Sequence, residues 1–99
     1  MTALENAKIK VLKNMIDSIY KLLCDFKEGG NIIPKELLYD VLSELSSADE
    51  LYFHGELGYA IVQLNRLNQH QIFNHKDVRK ITLDCANTLC RLRDVILNG

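Results

Sequence analysis

Apolar side chains recur at three- and four-residue intervals in four successive stretches of this chain, and nowhere do they alternate with polar ones over the length of a strand. In the first stretch Leu12, Met15, Ile16, Ile19, Leu22, Leu23 and Phe26 fall on one side. Lys10, Asn14, Asp17, Lys21, Asp25 and Glu28 occupy the other, the mark of an amphipathic helix. Leu38, Val41, Leu42 and Leu45 form the second stripe, and Phe53, Leu57, Ala60, Ile61, Leu64 and Leu67 the third. Val78, Ile81, Cys85, Leu89, Leu92 and Ile96 form the fourth. Four such stretches joined by short connections, with a single proline, predict an all-α fold: an antiparallel up-down-up-down four-helix bundle, with residues 1–99 as one domain.

The element ends are readable in the same way. Thr2 and Glu5 have capping-box spacing and start a helix over 3–28, which Gly29-Gly30 should end because glycine tolerates the left-handed conformation. Pro34 suits the first turn of a second helix, 34–46, with Ile32 and Ile33 packing across its start. Ser46-Ser47 should interrupt it, and Ser47 with Glu50 repeats the capping box for a third helix, 48–68. Nothing from Ser46 to Asp49 forbids helix, so a merged rod is the alternative. Asn74 is a natural N-cap for a fourth helix, 75–97, with Asp77 in its first turn and Phe73 against Val78 as a staple.

A chain of 99 residues buries roughly 60 to 70% of its unfolded surface, enough for a core without metal or disulfide. Its 47% hydrophobic and 25% charged residues are ordinary for a globular protein, and a net charge of -1 sets up no field toward nucleic acid or membrane. No apolar run approaches a membrane span, so no membrane insertion is expected. The N-terminus lacks a secretion layout, and the three cysteines, Cys24, Cys85 and Cys90, read as free thiols in a reducing compartment. The expected location is cytoplasmic.

Candidate chemistry is sparse. Glu50 and His54, four apart on the third helix, form a single pair where a bundle metal site needs several ligands, and His70 and His75 read as solvated loop histidines. The cysteines lie inside helices with no glycine elbow, and Arg66 with His70 is spaced more closely than the pair in helical ribonucleases. Phosphate-loop patterns are missing, and Gly55 and Gly58 inside the third helix read as close-contact or bending positions. No catalytic residue, metal ligand or cofactor is assigned. Residues 33–67 are acidic, whereas the fourth helix carries Lys76, Arg79, Lys80, Arg91 and Arg93 against Asp77, Asp84 and Asp94, a stripe too modest to favour nucleic acid.

Contact surface is what remains. Tyr52 and Tyr59 point away from the third stripe at heptad separation, beside Gln63 and Arg66. The fourth helix has a second apolar flank, Leu83, Ala86, Cys90 and Leu97, edged by Arg79 and Arg93, which either widens the core or meets a partner. Tyrosine and arginine beside apolar residues are typical of binding hot spots, so the candidate partner-binding residues are Tyr52, Tyr59, Arg66, Arg79, Leu83, Cys90 and Arg93.

The runs Ile19-Tyr20-Lys21-Leu22-Leu23, Asp40-Val41-Leu42, Leu57-Gly58-Tyr59-Ala60-Ile61 and Gln71-Ile72-Phe73 opening the last helix resemble the enterocin-A-type bacteriocin immunity proteins. The resemblance spans residues 12 to 85. It implies a non-enzymatic cytosolic four-helix bundle that protects its own cell, sitting at the cytosolic side of a sugar-transport permease targeted by the peptide and locking that complex closed. Family members typically continue past the fourth helix with a tail that helps determine which bacteriocin is recognised, whereas this sequence ends at Gly99. Two other readings stand beside it. One is a protein inhibitor, antitoxin or phage-encoded antagonist that binds a toxin or other protein through the same Tyr/Arg surface. The other is a small helical nucleic-acid-binding regulator using the fourth helix.

Overall fold

The computed structural model describes residues 1–28, 33–69 and 74–99. The described residues are all-helical and contain no strand. The elements are α1 (Ala3–Glu28), α2 (Lys35–Ala48), α3 (Gly58–Asn65) and α4 (His75–Asn98). A π-helical turn, Asp49–Phe53, prolongs α2, and a 3-10 turn, Arg66–Gln69, prolongs α3.

Two of the expected caps form. The Thr2 hydroxyl accepts the Glu5 N–H at 3.1 Å, while the Glu5 carboxylate takes the Thr2 N–H at 3.0 Å. Those bonds, the backbone one first, hold the Glu5 carboxyl below the usual carboxylate range. At α4 the Asn74 side chain accepts the Asp77 N–H at 2.8 Å and donates to the Asp77 carboxylate at 2.8 Å. Pro34 stands one position earlier than expected, just before Lys35, where its carbonyl accepts the Leu38 N–H at 2.9 Å. The Gly29-Gly30 stop, Ile32, the Phe73 staple and His70 lie outside the described residues.

The four stripes meet in one core. All seven α1 stripe residues are buried, with Leu38, Val41 and Leu45 of α2, Ala60 and Leu64 of α3, and Val78, Ile81, Cys85 and Leu89 of α4. Each fully buried leucine contributes on the order of 2 kcal/mol by leaving water. Thr82 is buried among them, its hydroxyl donating to the Val78 carbonyl at 2.7 Å, so no polar atom is orphaned there. Both α1 and α3 pack against α4, and both also pack against α2, in a body 42 × 21 × 18 Å. Four contacts tie specific ends together. The Phe26 and His75 rings meet edge-on at 4.9 Å, Lys8 lies 5.6 Å over the Phe53 ring, the Lys35 ammonium reaches the Asn68 carbonyl at 3.2 Å, and the Cys85 thiol reaches the Ala60 carbonyl at 3.3 Å.

The boundary between the second and third helices differs from the sequence reading. Ser46 and Ser47 are ordinary α2 residues, and Ser47 caps nothing. The chain leaves the helix eight residues later than expected, at His54, which adopts the left-handed conformation (φ 50°, ψ 51°), followed by Gly55 at φ 103°. Asp49 is the capping group that matters. Its carboxylate accepts the N–H of Gly55 at 2.8 Å and of Leu57 at 3.0 Å, satisfying donors at the start of α3 from a position before the break. Glu50 and His54 therefore share no helix face, and Gly55 lies outside α3 altogether.

The π turn sets which aromatic ring enters the core. An unbroken α-helix would align Tyr52, seven residues after Leu45, with the α2 stripe and leave Phe53 about 100° beyond it. A π turn takes roughly one more residue. Phe53 therefore lands in the core at 2% exposure, while Tyr52 turns to the α2 edge.

The two central glycines should respond oppositely to alanine. A Cβ at either meets no atom within 4 Å, so backbone conformation alone decides. Gly55→Ala is expected to lose about 1 kcal/mol because its φ is positive, whereas Gly58→Ala, in α3, should gain about 0.5 kcal/mol, read from urea melts.

Candidate functional site

Among the described residues, hollows lie in two regions. Between α1 and α2 an open groove of about 520 Å³ has Val11, Met15 and Ala48 as its floor, and Leu51 and Tyr52 close one end. Asn14 and Ser18 from α1, and Glu44 and Ser47 from α2, form its walls. The Ser18 hydroxyl donates to the Asn14 carbonyl of its own helix at 3.0 Å and stands 3.4 Å from the Glu44 carboxylate across the groove. Over the α3–α4 seam, Tyr59, Asp84, Thr88 and Arg91 line a hollow of about 400 Å³. A smaller one of about 230 Å³ adjoins it through Asp84 and is lined by Arg66, Asp77, Lys80 and Ile81.

The seven sequence-selected contact residues fall in three places. Tyr52 is half-buried against the core, lines the α1–α2 groove and stacks edge-on with Phe53 at 6.5 Å. Tyr59 and Arg66 border the α3–α4 hollows. Tyr59 is 57% exposed, and the Arg66 guanidinium donates to the Gln63 side-chain oxygen at 3.1 Å. Arg79, Leu83, Cys90 and Arg93 lie on the opposite flank of α4, about a third of a turn from Asp84 and Thr88. The heptad row joining Tyr52 to Tyr59 does not exist, because the π turn and the left-handed His54 intervene.

On that far flank core and surface alternate. Ala86 is fully buried, Leu83 and Cys90 are half-buried, Leu97 is exposed, and Arg93 lies 3.5 Å from the Asp94 carboxylate. Sequence reasoning missed the α1–α2 groove. The signal for it was Val11 and Leu51, apolar residues beside their stripes rather than on them.

Titratable groups provide little chemistry within this frame. The Cys85 thiol is buried under α3, donates to the Ala60 carbonyl, and is pushed up to about 12, chiefly by burial and secondarily by Asp84. It is a packing group in its neutral form. Cys24 is exposed and Cys90 half-buried, both free. His75 is exposed, as expected, and its ring also meets Phe26 edge-on. Among the described residues no three His, Cys, Asp or Glu side chains gather as metal ligands, and no helix is long and apolar enough to cross a membrane. No protein-family model, curated protein or solved structure matches the chain.

The raised Cys85 value fixes the sign of an alkaline effect. The folded thiol holds its proton while the unfolded one releases it near 8.5, so this contribution to stability is complete below that pH and is lost as pH rises toward 12. The stability difference between wild type and Cys85→Ala should therefore shrink from about pH 8.5 upward in paired urea melts; a difference that stays constant would contradict a thiol buried as the neutral form.

Proposed function

We propose that this chain is a non-enzymatic, cytoplasmic interaction protein, and specifically an immunity protein of the bacteriocin type that its sequence resembles. The observation carrying the reading is apolar surface left outside a core that is already closed. Tyr39, Leu51, Tyr59 and Val62 are each more than half exposed, although the stripes beneath them are filled. Burying such side chains against a partner is the available way to remove them from water, and tyrosine does so at little entropic cost.

The helices alternate in direction in this reading, an up-down-up-down bundle. The Phe26–His75 contact supports it by joining the end of α1 to the start of α4, and Lys8 over Phe53 joins the start of α1 to the end of the α2 rod. Lys35 to Asn68 does the same for α2 and α3. Such a bundle presents its surfaces on rigid rods, so partner recognition needs no refolding of the core. The permease complex implied by the resemblance is the proposed protein partner.

Expression of the chain in a bacteriocin-sensitive host tests the assignment. Growth should be rescued against at least one peptide in a panel of enterocin-A-type bacteriocins; uniform killing across the panel, with the protein folded and abundant, would overturn it. Tyr59→Ala should leave thermal unfolding within about 0.5 kcal/mol of wild type while weakening rescue, because the ring is largely exposed. Tyr52→Ala should lose about 1 to 2 kcal/mol, since that ring packs against the core.

A further inference from the structure

The α1–α2 groove has an occupant of definable chemistry. Its floor of Val11, Met15 and Ala48, with the 68% exposed Leu51 at one end, is apolar and open to solvent. Val11 to Ser18 along α1 is about 10 Å, or two helical turns. That length accommodates two anchor side chains of an incoming helix spaced four residues apart.

The α2 wall adds charge. Glu44 lines the groove, and Asp40 and Glu36 continue from it at four-residue intervals along α2 beyond the groove; all three are exposed and share a face. Among the described residues none of them is in an ion pair, and Glu44 meets only the Ser18 hydroxyl. Opposite Glu44 the α1 wall is the uncharged Ser18, with Asn14 one turn before it. Of the cations on that row, Lys21 is already paired with Asp25 at 3.7 Å and Lys10 stands one turn beyond Asn14. The groove therefore has one carboxylate, Glu44, on its edge, and the acidic row runs on from it along α2.

We propose that the α1–α2 groove docks a basic amphipathic helix of a partner protein. Apolar anchors of that helix enter beside Leu51 and Tyr52, and its Lys or Arg residues run along Glu36, Asp40 and Glu44. The anchors supply affinity by leaving water, and the unpaired carboxylates supply orientation and a faster encounter. This inference rests on the interaction-protein reading but not on the immunity assignment.

The test uses the intact chain and fluorescently labelled Leu/Lys amphipathic helices of about four turns as probes, followed by anisotropy. The expected result is saturable, salt-sensitive binding, weakened at least about tenfold both by Glu36→Lys with Asp40→Lys and Glu44→Lys and by Leu51→Asp, with helicity unchanged by circular dichroism. Every substituted residue is exposed, so folding should survive. Equal binding of a scrambled Leu/Lys peptide, equal binding of a Leu/Glu helix, or affinity indifferent to both variants would overturn the proposal. Sedimentation velocity adds a further outcome: a dimer dissolved by the triple charge reversal would replace the partner helix with a second copy of this chain. Peptide binding that persists when the chain fails to protect any host would count against the immunity assignment and leave this proposal standing.

Discussion

One carboxylate turns what would be a single rod into two helices. The sequence from Lys35 to Leu67 carries no proline and has apolar residues at helical spacing, so only Gly55 and Gly58 weaken a continuation of α2 into α3. Asp49 prevents this by accepting the amides of Gly55 and Leu57, donors that the left-handed His54 has removed from the helical ladder. Only because the chain reverses there can Leu57, Ala60, Leu64 and Leu67 come back to the same interior that α2 lines. Packing of α3 on α4, the Cys85 to Ala60 bond and both α3–α4 hollows all lie downstream of that reversal.

The core and the reversal divide the work between non-directional and directional forces. Burial of the leucine-rich stripes supplies most of the free energy but would tolerate more than one helix register. Directional bonds select among registers: the Thr2–Glu5 box and the Asn74 cap fix where α1 and α4 begin, and Asp49 fixes where α3 begins. Thr82 fits the same scheme, because its hydroxyl returns to the Val78 carbonyl of its own helix and so can be buried without a partner from another element.

What was legible in the sequence was local. The α1 stripe could be read in full, and so could Asn74 as a cap, because each depends on residues within a few positions of one another. The Ser47 cap was misplaced for the complementary reason. Ser47 and Glu50 have the right spacing, but the competing group, Asp49, acts across six and eight residues, and no capping rule of three-residue reach detects it. The candidate contact surface was legible residue by residue and not as an arrangement. Tyr59 is exposed as its position implies, yet Tyr52 belongs to another groove because the π turn shifts the register between them. The acidic row of α2 was visible as composition; that its last member, Glu44, borders an apolar floor supplied by α1 depends on which helices are neighbours.

The π turn also makes segment length matter as much as segment chemistry. Five residues, Asp49–Phe53, fill a stretch where a regular helix would use roughly four. Rewinding all five as an ordinary helix would exchange the seats of two rings, sending a phenol oxygen toward the greasy interior and a benzyl group toward water. A loop would absorb the surplus residue; here it decides which ring faces inward.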